Sequence, residues 1–149
     1  MSLLKKVLPI CLLISFLSCQ KEDSPPDSPG SNTAKPMGVF SIARAGVFQK
    51  QNGYNAEGTA ELGSDEANVQ WLHLASDFNA SLSTGAVTVY LSKNQNLTLG
   101  VAGSFRRMDL VTMAGEHFYK IEPAVGDDFK FTILWCASAG VQFGNAELK

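Results

Sequence analysis

The chain has 149 residues, with 12 basic against 14 acidic side chains and a formal charge of −2. That mild acidity argues against nucleic acid or anionic lipid as a partner, since there is no basic stripe and Arg106-Arg107 is only a pair. No glycine-rich phosphate loop, zinc-ligand cluster or nucleophile elbow occurs in the sequence.

Residues 1–18 read as an export signal. Lys5 and Lys6 form a positive start, and the apolar run Val7 to Leu17 is too short to span a bilayer, which needs about 20 residues. Phe16-Leu17-Ser18-Cys19 follows and looks like a bacterial lipobox, with Cys19 as the first mature residue and the site of lipidation. Phe16 stands where leucine is commoner. Removal of the signal takes Lys5 and Lys6 from the 12 basic residues and leaves 10 against the same 14 acids. Two or more acyl chains on Cys19 hold the chain stably to a membrane, where one alone binds weakly. Gln20-Lys21-Glu22-Asp23 resembles the short charged signal of surface-exported lipoproteins, so outer-membrane attachment with outward display is expected. Orientation towards the periplasm is the alternative.

Residues 19–36 carry the lipidated cysteine and a tether. Pro25, Pro26, Pro29 and Pro36 alternate with Ser, Asp, Gly and Asn and show no apolar period. Proline keeps such a segment partly extended, holding the domain on the order of tens of Å from the membrane. Residues 37–149 are one domain by length, large enough to bury a core.

Within that domain, period-two and short apolar runs dominate, separated by Gly, Asn, Asp and Ser. Ala45 to Gln51 and Glu57 to Leu62 flank the turn signal Asn52-Gly53. Val69 to Ala75 reads as a strand with Leu72 and Leu74 on one face and Trp71 and His73 on the other. Ala86 to Ser92 has the strongest strand propensity. Further strands are expected over Leu97 to Ala102, His117 to Glu122, Phe129 to Cys136 and Val141 to Phe143, with one helical turn within Ser104 to Met113. This pattern predicts an all-β fold, an antiparallel sandwich or barrel-like single domain.

Cys136 carries the functional question. Cys11 leaves with the signal and Cys19 is acylated, so Cys136 is the one thiol of the mature chain, without an intrachain partner. Such a thiol is an inert buried residue, a reactive group or a ligand. Alternation along Phe129 to Cys136 places Phe129, Phe131, Ile133 and Trp135 on a core face, and Lys130, Thr132, Leu134 and Cys136 on the other. That register predicts a half-covered thiol at a strand end.

The blocks Gly58-Thr59-Ala60-Glu61-Leu62, Leu72-His73-Leu74-Ala75-Ser76-Asp77-Phe78 and Val89-Tyr90-Leu91-Ser92 are followed by Gly115 to Ile121, Ile133-Leu134-Trp135-Cys136 and Val141 to Leu148. Together, from about Ala45 to Leu148, they resemble the DM-thirteen domain family found beside DOMON domains and in Skeletor-type proteins. The closing Trp-Cys and Phe-Gly-x-Ala-x-Leu pair is the most specific part. The resemblance implies an all-β domain with a proposed role in extracellular electron transfer, in which Cys136 matches the characteristic cysteine. That cysteine is suggested to act as a bare thiol or as ligand to a prosthetic group such as haem. Where the family usually has an aromatic residue three positions after the cysteine, this chain has Ala139.

His73 and His117 are the candidate partners of Cys136 at a cofactor, with Met108 and Met113 behind them, although none has a specific spacing. Covalent c-type haem is excluded because no Cys-x-x-Cys-His motif is present. Two functions remain open. The first is a membrane-tethered redox accessory domain that uses Cys136 with an unidentified redox partner. The second is a surface-displayed binding or adhesion module, in which Cys136 is core and the polar loops Asn52 to Asn55, Asn79 to Gly85 and Lys93 to Asn96 meet a surface partner. A conventional hydrolase is disfavoured: Asp65-Glu66 and Asp127-Asp128 sit in turn contexts, and no nucleophile and base come together.

Overall fold

The structure, a computed structural model, describes residues 34–149. The signal, Cys19 and nearly all of the tether lie outside the described residues. The chain runs β1 (Ser41–Val47), β2 (Gln49–Lys50), β3 (Ala56–Glu57), β4 (Thr59–Ser64), β5 (Gln70–Leu74) and β6 (Asn79–Ala80). After a short 3-10 turn at Leu82–Thr84 come β7 (Val87–Ser92), β8 (Phe105–Val111), β9 (His117–Ile121), β10 (Phe131–Cys136) and β11 (Val141–Glu147). Among the described residues there is no α-helix, and no helix long and apolar enough to cross a membrane.

The strands form a four-stranded sheet in the order β1-β4-β5-β9, a five-stranded sheet in the order β2-β11-β10-β7-β8, and a small β3-β6 pair. All pairings are antiparallel. The two larger sheets face each other as an all-β sandwich that does not close into a barrel. Alternate residues supply the core. Leu62, Leu72, Leu74, Tyr119 and Ile121 come from one sheet, and Val87, Val89, Leu91, Leu134, Phe143 and Ala146 from the other.

The sheets meet at one corner. The chain leaves the first sheet after β1, tucks in the buried Phe48 and enters the second sheet as β2. Ala45 and Lys149 exchange backbone hydrogen bonds of 3.1 and 3.0 Å there. Gly46 is required at this crossing, because a β-carbon on it would lie 2.2 Å from the carbonyl oxygen of Glu147.

Asn52 and Gly53 both take positive φ, 54° and 77°, and turn the chain as their sequence predicts. The strands on either side do not pair as a tight hairpin, since β1 pairs with β4 over a longer connection. Leu97 to Ala102 is not a strand. It lies in the connection between β7 and β8, with Leu99 and Val101 exposed. The expected helical turn within Ser104 to Met113 is strand β8, because pairing with β7 outweighs the weak local preference of this mixed segment.

The faces of β10 are the reverse of the expected ones. Leu134 and Cys136 point into the core between the sheets, with Thr132 buried on the same side. Phe131, Ile133 and Trp135 lie on the outer face, where Ile133 is also fully buried. A strand covered on both faces has no polar alternation to fix its register, and three large residues outweighed three smaller ones.

Candidate functional site

Cys136 is the last residue of β10, flanked by Val87 of β7 and Val141 of β11. The chain then turns through Ala137–Gly140, and the Gly140 N–H donates to the Cys136 carbonyl at 2.9 Å. Gly140 has φ 66°, a value that glycine adopts without strain. The half-covered thiol expected from the sequence is instead wholly buried, at 0% exposure. Its cover is thin, since Thr84, Gly85, Ala86 and all of Ala137–Gly140 are exposed.

The sulfur has a polar partner. Sγ lies 3.1 Å from Ser138 Oγ, and Ser138 Oγ lies 3.2 Å from the Thr84 carbonyl oxygen, to which it donates. A neutral thiol donates to Ser138 while Ser138 donates to Thr84. A thiolate has no proton to give, so Ser138 turns its own hydrogen to the sulfur and releases the carbonyl. Burial pushes the Cys136 thiol up. The Ser138 side chain, the Ala139 and Ser138 backbone N–H groups and the Thr84 side chain outweigh that effect and hold it below the ordinary thiol value. Gly85 keeps the space open: its φ is 129°, and a β-carbon there would lie 2.5 Å from Ser138 Oγ. Ser138, Thr84 and Gly85 were not singled out from the sequence. The only linear signal was the Cys-x-Ser spacing across a turn.

The candidate partners lie elsewhere. His73 occupies the outer face of the four-stranded sheet. Its ring stacks on Phe118 at 4.1 Å between centroids, and Phe40 packs edge-on at 5.6 Å. Nδ1 meets Glu61 at 2.7 Å and Nε2 meets Glu116 at 3.2 Å. These carboxylates approach opposite edges of the ring, so they cannot close on one ion with it. His117 begins β9, with Nε2 donating to the Met113 carbonyl at 2.9 Å. Met108 packs partly against the core, whereas Met113 is exposed. Among the described residues, no three His, Cys, Asp or Glu side chains gather as metal ligands.

These positions do not fit a haem. The Cys136 sulfur faces packed core, neither histidine shares a hydrogen-bond partner with it, and the described clefts of about 440 and 290 Å³ reach none of the three residues. What remains at Cys136 is a polarised thiol under a thin cover.

Asp65 is a structural acid. It accepts backbone N–H groups from Met37, Ala67 and Val69 and the indole N–H of Trp71, at 2.9–3.0 Å. This ties the segment before β1 to the β4–β5 turn. No known family's sequence profile matches the chain, and neither a curated protein nor a solved structure does.

Proposed function

We propose that this chain is a membrane-tethered, extracytoplasmic redox accessory protein whose working group is the Cys136 thiol. The observation that carries this reading is the Ser138 hydroxyl 3.1 Å from Sγ, beside a thiol held below its ordinary value despite burial. An inert core cysteine needs no such partner. The resemblance to the DM-thirteen family points to the same residue, and the bare-thiol form of that resemblance fits the packing better than haem ligation. In this reading, acylated Cys19 anchors the protein in the outer membrane, facing outward.

One thiol needs an external partner. The Cys136 thiolate attacks one sulfur of a partner disulfide, and a new Sγ–S bond forms as the partner's S–S bond breaks. The other partner sulfur leaves as thiolate with the electron pair. A reduced dithiol donor then attacks Sγ of the mixed disulfide and releases the partner's second thiolate; the donor's other thiol closes a donor disulfide and returns Cys136 as thiolate, so two electrons pass from donor to partner. Access requires the exposed cover at Thr84–Ala86 and Ala137–Gly140 to open while the sandwich stays folded.

The test uses the full lipidated chain in detergent with the disulfide 5,5′-dithiobis(2-nitrobenzoate). One nitrothiolate per chain should be released from the folded protein, and none from Cys136→Ser. Release only under unfolding conditions would reject the redox role. It would leave the second reading, a surface-displayed binding module, which the complete burial of Cys136 favours.

A further inference from the structure

Strand register gathers an aromatic and ionisable cluster on the outer face of the four-stranded sheet. His73 of β5 lies opposite Glu61 of β4 on one side and Phe118 of β9 on the other. Glu116 precedes β9 by one residue and reaches the same imidazole. Phe40, ahead of β1, packs edge-on against both rings, 5.6 Å from His73 and 5.7 Å from Phe118.

Hydrogens decide what this cluster can do. An ionised carboxylate only accepts, so Glu61 and Glu116 each need a donor from the ring. Nδ1 lies 2.7 Å from Glu61 and Nε2 lies 3.2 Å from Glu116. A neutral imidazole carries one N–H and satisfies one of them. The imidazolium carries two and satisfies both. Its charge also lies flat over the Phe118 ring, with 4.1 Å between centroids and 4° between planes, where the electron-rich face attracts a cation.

Loss of one proton must break one contact. Glu61 makes the shorter one and its side chain is 17% exposed, against 46% for Glu116. The remaining hydrogen therefore stays at Nδ1, the lone pair forms at Nε2, and Glu116 turns from it to water. The neighbouring charged groups are already engaged. Lys120, next along this face of β9, pairs with Glu122 at 2.6 Å. Asp65, at the β4–β5 turn, is bound by four donors, among them the indole of Trp71. β1 places Ile42 and Ala45 opposite Gly63 and Glu61, and its Arg44 donates to the Phe129 carbonyl instead.

We propose that His73 is a proton-operated clamp on the β8–β9 connection, residues 112–116. It closes on Glu116 when the imidazole gains its second proton and opens when that proton leaves. Ordinary imidazoles titrate between about pH 5 and 8, so mild acidification is the signal such a clamp reads. The connection carries the exposed Met113, so the clamp governs a piece of surface. Two further bonds hold the connection, and neither needs a second proton. The Gly115 N–H donates to the Phe78 carbonyl at 2.8 Å, and His117 Nε2 donates to the Met113 carbonyl at 2.9 Å. Opening thus loosens the connection and leaves β9 in place. The clamp stands apart from the thiol chemistry and holds whether or not Cys136 is reactive.

Nitrogen-15 NMR of the His73 imidazole in the full chain in detergent, with amide hydrogen exchange at Gly115, tests this. At about pH 5 both ring nitrogens should carry hydrogen, and at about pH 8 only Nδ1 should. Over that step the Gly115 protection factor should fall about two- to fivefold, the size of a part-exposed ion pair. Glu116→Gln should abolish the fall, because a carboxamide can donate to the ring lone pair or accept from the ring N–H. His117→Gln, which keeps a donor for the Met113 carbonyl, should leave the fall as in wild type. Constant Gly115 protection across the range, a neutral ring with its hydrogen on Nε2, or a fall that persists in Glu116→Gln would overturn the proposal.

Discussion

Ser138 decides what Cys136 can do. Its hydroxyl has one hydrogen and two acceptors within reach, the Thr84 carbonyl and the sulfur once ionised. Ionisation of the thiol is thus coupled to loss of the Ser138–Thr84 hydrogen bond, which leaves the Ala137 N–H on the Ala86 carbonyl, at 3.4 Å, to hold that side of the cover. Asp65 shows how the same kind of donor cluster serves structure alone. Its four donors hold the carboxyl below the usual carboxylate range, the Met37 N–H foremost, against the opposing effect of desolvation. A carboxyl whose folded value lies below its unfolded value contributes stability that is complete above the ordinary carboxylate range. That contribution is lost as pH falls through the folded value. Asp65→Asn should lower the melting temperature at neutral pH and flatten its fall in acid, read by thermal melts across an acid series. A fall as steep as wild type would show that other carboxyls carry the acid sensitivity. The sequence placed Asp65 among turn acids without a catalytic role, but its donors include Met37, 28 positions away, which no local pattern announces.

Legibility differed from element to element for physical reasons. In β5, Leu72 and Leu74 alternate with Trp71 and His73, and the faces followed directly because one side meets the core and the other carries His73 with its carboxylates. In β10, both faces are covered, and the same alternation rule assigned them the wrong way round. Segment 97–102 has the apolar residues of a strand but no neighbour to pair with. It is held instead by Gln142, whose three side-chain hydrogen bonds reach Gln51, Gln95 and Leu97. Cys136 itself could be singled out from the sequence, but its neighbours Ser138, Thr84 and Gly85 could not, because 54 positions separate Ser138 from Thr84 and only the sheet brings them together. Gln142→Ala should free the β7–β8 connection and cost about 1–3 kcal/mol, through loss of three part-buried hydrogen bonds. Hydrogen exchange should speed up at Leu97 while amides of β10 remain protected. Equal loss of protection in both would mean that the connection has no independent stability.

At the scale of the molecule, two surfaces with different chemistry occupy different parts of one sandwich. The polarised thiol sits where β10 ends, under the cover of the 3-10 turn and the β10–β11 turn. His73 and its two carboxylates sit on the outer face of the four-stranded sheet. The redox account depends on local opening, in which the cover moves and the core of Val87, Leu134 and Phe143 stays packed.

The rate of iodoacetamide alkylation of Cys136 in the folded protein, measured against pH for wild type and Ser138→Ala, tests this most directly. The account predicts native-state alkylation with a midpoint below that of an ordinary thiol, and a midpoint shifted upward in Ser138→Ala, where the remaining donors no longer offset burial as fully. Alkylation that tracks global unfolding in both proteins, with the same midpoint, would contradict it and return Cys136 to the core.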